Sequence, residues 1–191
     1  QQLMKLSKQY RQAWIKGDPD AFTGTVFRIV DTFHIVDQDK ILKPFADDNG
    51  NPKIPKEWEI IGSLDAATGD FCSFGLYTKT PSGHIYKILT YYQKDLGVQE
   101  HIENIIERIM DCPYTDGRAP KYILADRHAF QKRYKHSVAA TDITWEDIFK
   151  DYGIKLKRAN DNRISGAFAL QYALDYKFDY KSDTLLKKPK M

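Results

Sequence analysis

The chain has 191 residues, 42% hydrophobic and 13% aromatic, with 29 Lys and Arg against 26 Asp and Glu for a net charge of +3. This is too apolar for a disordered chain and suits one folded domain with a flanking segment, and the mild positive charge permits nucleic acid as a partner without requiring it. Cys72 and Cys112 are too few for a disulfide framework or a zinc site and fit a reducing compartment. The polar start QQLMKLSKQY is no signal peptide, and no apolar run reaches the ~18 residues of a membrane span.

In chain order, Leu3, Leu6, Tyr10, Ala13 and Trp14 recur at helical spacing, and Gly17 with Asp18-Pro19 ends that helix. Residues 25–36 (TVFRIVDTFHIV) are β-branched and aromatic, of strand type. Residues 37–56 are polar and hold Pro44, Gly50, Pro52 and Pro55, the composition of a surface loop or hinge. A strand is predicted from Trp58 to about Ala66, then strands over 71–79 and 84–93 around the turn Pro81-Ser82-Gly83. Val98, Ile102, Ile105, Ile106 and Ile109 fall on one helical face. After a Pro/Gly/Asp loop at 111–120 comes a strand over 122–125. Thr144 with Asp147 in the capping-box position opens a helix that Gly153 closes. Residues 154–159 read as a short strand and 164–177 as a helix.

The order β-β-β-α-β-α-β-α, an antiparallel meander followed by alternating strands and helices, gives an α/β fold with a mixed sheet flanked by helices on both faces. That is the strand plan of ribonuclease H-like nucleases and integrases, in which the first strand is central and the strand after the long helix lies beside it. Asp65 ends the first strand and Asp126 the fourth, so the two carboxylates become neighbours. A charge at the tip of an apolar strand is costly unless solvated, paired or on a metal. Two at one sheet edge suit hard divalent cations such as Mg²⁺ or Mn²⁺, in the manner of two-metal phosphoryl hydrolysis. The alternative is structural, with each Asp capping the turn or helix that follows it. Asp70 is either an outer-shell group at such a site or a turn former after Gly69. Arg127, Lys132, Arg133 and Lys135, flanked by His128 and His136, are either a grip on a phosphate backbone or a solvated helix face. No phosphate loop, GxSxG, HExxH or CxxC motif is present.

Several segments together resemble the C-terminal nuclease domain of the large terminase subunit of tailed bacteriophages. Residues 10–27 are similar to the segment leaving the ATPase region, with Arg11, Trp14, Gly17-Asp18, Phe22 and Gly24 at the family's spacing and Pro19 where many members have tryptophan. Residues 58–71 resemble the first nuclease strand with its metal-binding Asp at Asp65, although Ala66-Ala67 replaces the usual glycine. Residues 122–130 (YILADRHAF) resemble the second acidic strand, with its ligand at Asp126. Residues 154–166 resemble the strand and Asn-Asp-x-Arg-x-x-Gly stretch that follow. The family's third acidic ligand is not found in this chain, since Asp175, Asp179 and Asp183 come too early.

The resemblance implies residues 1–56 as a linker from the end of the ATPase region and 57–191 as the nuclease domain, with both ends lying within a longer polypeptide. It implies two Mg²⁺ or Mn²⁺ ions and cleavage of concatemeric double-stranded DNA. It also implies the ATPase domain, the small terminase subunit and the portal protein as partners, at the procapsid in the host cytoplasm. A resolvase- or transposase-type nuclease of the same fold, or a non-catalytic DNA-binding or docking module, are the alternatives.

Overall fold

The computed structural model describes residues 34–67, 70–131, 143–160, 162–175, 177–179, 184–187 and 189. The chain divides into two compact units, residues 38–161 and residues 1–37 with 162–191. The expected first helix and residues 25–33 of the expected strand lie outside the described residues, and His34 is helical rather than extended.

In the larger unit a short helix, α1 (Gln38–Leu42), runs into a 3-10 turn at Lys43–Phe45. Five strands follow: β1 (Glu59–Asp65), β2 (Cys72–Lys79), β3 (Ile85–Gln93), β4 (Ile123–Ala125) and β5 (Leu156–Arg158). Helix α2 (Val98–Met110) joins β3 to β4, and α3 (Trp145–Asp151) precedes β5. The sheet order is β3-β2-β1-β4-β5. β1 to β3 form an antiparallel meander, and β4 and β5 add in parallel. This is the ribonuclease H-like plan expected from the sequence, with β1 at its centre.

Strand alternation sorts the side chains. Ile60 and Leu64 of β1, Cys72, Phe74 and Leu76 of β2, and Ile123 and Ala125 of β4 are buried in one core. Ile102, Ile105 and Ile109 of α2 and Trp145 and Phe149 of α3 join them there. Each such apolar side chain contributes about 1.5–3 kcal/mol by leaving water. Both α2 and α3 therefore pack on one face of the sheet. The other face carries Ile61, Ser63 and Asp65 of β1 with Ser73 and Tyr77 of β2, half-buried to exposed.

Local chemistry sets the ends of the elements. The Thr144 hydroxyl accepts from the Asp147 N–H at 3.1 Å while the Asp147 carboxylate takes the Thr144 N–H at 2.9 Å, the predicted capping box. Gly83, at φ +87°, closes the β2–β3 hairpin. Ile88 is left without a partner where the β2–β3 register shifts, between the pairs Leu76↔Leu89 and Tyr77↔Lys87.

Residues 37–56 depart from the expected loop. Beyond α1, Leu42 and Ile54 are buried. Phe45 packs edge-on against Trp58, which itself stacks on Tyr86. The Arg118 guanidinium donates to the carbonyls of Ile54 and Pro55. Three apolar anchors scattered through a polar stretch have no periodicity to read, so only the folded chain reveals them.

In the smaller unit, α4 (Arg163–Leu174) starts at Asn162, whose Oδ1 accepts from the Ser165 N–H at 3.0 Å. It stops before the predicted Lys177, because Asp175 turns extended. Lys177 instead begins β6 (Lys177–Asp179), paired antiparallel with β7 (Thr184–Lys187).

Candidate functional site

The last β1–β4 pair is Leu64↔Ala125. Asp65 and Asp126 are each the next residue, so they leave adjacent parallel strands side by side. Both alternate away from the core face, on which Leu64 and Ala125 lie. Neighbouring strands run about 4.8 Å apart, so the two α-carbons are spaced for carboxylates that share one site.

Asp65 is exposed and its charge is solvated. It pairs with Ser73 across β2, which puts a hydroxyl on the same face. The neighbouring Cys72 thiol is fully buried, and burial pushes its pKa up to about 11. The Ala67 N–H opposes this rise and the Asp65 charge adds to it. A thiol held neutral in this way is a packing group, not a nucleophile or a metal ligand.

Asp126 does two things. It caps the 3-10 turn Arg127–Phe130 by accepting from the His128 N–H at a long 3.3 Å, so the structural alternative is partly real. Ala129, fully buried, pins that turn to the core and so fixes where the carboxylate sits. The His128 Nε2 lies 4.0 Å from Oδ2. The other oxygen, Oδ1, is buried and has no hydrogen-bond partner. An unpartnered buried carboxylate oxygen is expensive, and a cation is the ligand that such an oxygen accepts without a donor hydrogen. The pair thus fits a hard divalent ion.

Asp70 is exposed, and its Oδ1 takes the Phe71 N–H at 2.8 Å, the local bond of a turn former. Arg127 is exposed at the head of the 3-10 turn beside Asp126. Lys132, Arg133, Lys135 and His136 lie outside the described residues. Among the described residues, no group of three or more His, Cys, Asp or Glu side chains is arranged to hold a metal ion. Ser73 and the orphan oxygen of Asp126 are the features that motif reading missed. Alternation alone places Ser73 on the Asp65 face, but pairing it with Asp65 requires the register.

Strand order and register thus define a ribonuclease H-like α/β fold. No protein-family model and no curated protein matches the chain. Among solved structures, it is similar to the large terminase of a thermophilic bacteriophage in complex with ADP. The identity is 17%, the match covers 94% of this chain and 46% of that one, and the TM-score is 0.51. A further crystal form of the same thermophilic phage protein matches at 19% identity over 97% and 50% of the two chains, TM-score 0.49. The large terminase nuclease domain of phage P22 matches at 10% identity over 78% and 67%, TM-score 0.47. The chain spans about half the length of the thermophilic phage terminase. Likeness at this identity establishes the shared fold. No described helix is long and apolar enough to cross a membrane.

Proposed function

We propose that the chain is the nuclease part of a DNA-packaging large terminase, an endonuclease that hydrolyses phosphodiester bonds of double-stranded DNA with divalent ions. The observation that carries this reading is the pair Asp65 and Asp126 on one sheet face, one step beyond Leu64↔Ala125, with Asp126 Oδ1 buried and unpartnered. Asp65 and Asp126 would hold Mg²⁺ or Mn²⁺, which when bound supplies an acidified water and charge stabilisation at the leaving 3′-oxygen. Asp65, exposed, faces the substrate side, while the cap bond to His128 N–H and the buried Ala129 keep Asp126 from swinging away. Arg127, with Lys132 and Arg133, would neutralise backbone phosphates, and Asp70 would act outside the first ligand sphere. Residues 1–56 would link to an ATPase region of the same polypeptide. The small terminase subunit and portal would complete the machine at the procapsid in the host cytoplasm.

The cap bond of Asp126 favours one competing reading, a DNA-binding module with structural carboxylates. Plasmid cleavage with Mn²⁺, Mg²⁺ or EDTA separates the two. Metal-dependent nicking that disappears in both Asp65→Asn and Asp126→Asn, with folding retained, is the expected outcome. Cutting that survives either substitution refutes the assignment of that residue, and DNA binding indifferent to metal without any cutting refutes the enzyme.

A further inference from the structure

Two exposed aromatic rings share the face of the sheet that carries Asp65. Tyr92 of β3 pairs with Ser73, and Ser73 pairs with Asp65, so Tyr92, Ser73 and Asp65 form one cross-strand row with Asp126 next to it. Two strand spacings separate Tyr92 from Asp65, about 10 Å. Phe71, two residues before Ser73, alternates onto the same face. Its ring stacks on Tyr92 with centroids 4.5 Å apart and planes 2° from parallel. Phe71 is 42% exposed and Tyr92 58%. The Lys94 Nζ lies 5.6 Å from the centre of the Phe71 ring.

Single exposed aromatics are ordinary on a soluble surface and call for no explanation. A parallel stacked pair with an ammonium beside it is a preformed planar surface, and it costs little side-chain entropy to use because the rings already hold each other. With Phe71 on one ring face, the exposure of Tyr92 lies on its edge and its other face. That face has the shape and polarisability of a nucleobase partner, and Lys94 supplies charge for the accompanying phosphate. A base inside a duplex has both faces covered by its neighbours, so only an unpaired base can lie there. The distance to the carboxylates is about three rises of 3.4 Å along a strand.

We propose that Phe71 and Tyr92, with Lys94, form a stacking platform for an unpaired base of the DNA strand held at Asp65 and Asp126. This rests on the nuclease reading above. The platform positions the strand and takes no part in bond breaking.

The test uses the whole chain in EDTA, so that nothing is cut. Fluorescence anisotropy follows binding of a short labelled single strand and of the same strand with abasic sites in place of its bases. Tyr92→Ala is expected to weaken the normal strand about tenfold and to leave the abasic strand unchanged, whereas Tyr92→Phe retains binding. Equal weakening of both strands, or of neither, overturns the platform. Plasmid cleavage judges the nuclease separately. Asp65-dependent cutting without a base-dependent Tyr92 effect refutes the platform alone, and a base-dependent Tyr92 effect in a chain that never cuts refutes the nuclease alone.

Discussion

Gly62 is where packing and site meet, and Gly62→Ala tests that link. Gly62 pairs with Ile123 across the β1–β4 seam, three residues before Asp65. A methyl group at Gly62 would lie 2.8 Å from Ile123 Cγ1 and 2.9 Å from Phe74 Cε2. Carbon atoms rest about 3.5–4.0 Å apart, so both neighbours must retreat by roughly 0.6–1.2 Å. Ile123 is 0% and Phe74 1% exposed, so neither has free space to move into. Overpacking of this kind costs about 1–3 kcal/mol. Replacing glycine in a strand returns about 0.5–1 kcal/mol, so the clash wins by about 1–2 kcal/mol. For a chain of this size that lowers the melting temperature by about 2–8 °C.

Urea unfolding followed by tryptophan fluorescence and circular dichroism measures the loss. The double variant Gly62→Ala/Ile123→Ala supplies the control. Ile123→Ala alone costs about 2–5 kcal/mol, and in the double variant the new methyl occupies part of the vacated space. The double variant should therefore be about 1 kcal/mol more stable than the sum of the singles. An unchanged midpoint for Gly62→Ala together with strictly additive singles would refute the close-contact argument. Because the retreat of Ile123 shifts β4 against β1, DNA cutting by Gly62→Ala should fall further than its unfolded fraction accounts for.

Two further outcomes follow from the same geometry. Saturating Mn²⁺ should raise the melting temperature by a few degrees, since a ligand at a hundred times its Kd adds about 2.7 kcal/mol. Asp126→Asn should abolish that rise in differential scanning fluorimetry, and an undiminished rise would remove Asp126 from the metal site. Cys72 gives an alkaline signature. Its folded pKa of about 11 lies above the model value of 9.0, so the unfolded chain releases this proton first. The associated stability is complete below pH 9 and is lost as pH rises towards 11, amounting to about 2–3 kcal/mol. Urea midpoints measured across that window should fall for the native chain and fall less steeply for Cys72→Ala. Equal slopes would show that the thiol ionises as readily folded as unfolded.

Most of what is legible in the sequence is local. The helical face Val98, Ile102, Ile105 and Ile109, the Thr144–Asp147 capping box and the Pro81-Ser82-Gly83 turn can be read because each is set by contacts within a few residues. The strands were legible from β-branched and apolar runs, and their order implied a central β1 with β4 beside it. Asp65 and Asp126 stood out because a charge ends an apolar strand in each case. Where local signals conflict, boundaries moved. The helix expected to reach Lys177 ends at Leu174, and residues 38–56 proved anchored through Leu42, Phe45 and Ile54.

Register, in contrast, comes only from the folded chain. Strand period tells which face a residue takes, but the offset between strands depends on turns, on the bulge at Ile88 and on close contacts such as Gly62 against Ile123. Register is what sets Asp65 beside Asp126, Ser73 opposite Asp65 and Tyr92 in the same row, although these residues lie far apart along the chain. It is also what buries one oxygen of Asp126 without a partner, because desolvation of a single atom depends on everything packed around it and not on its neighbours in the chain.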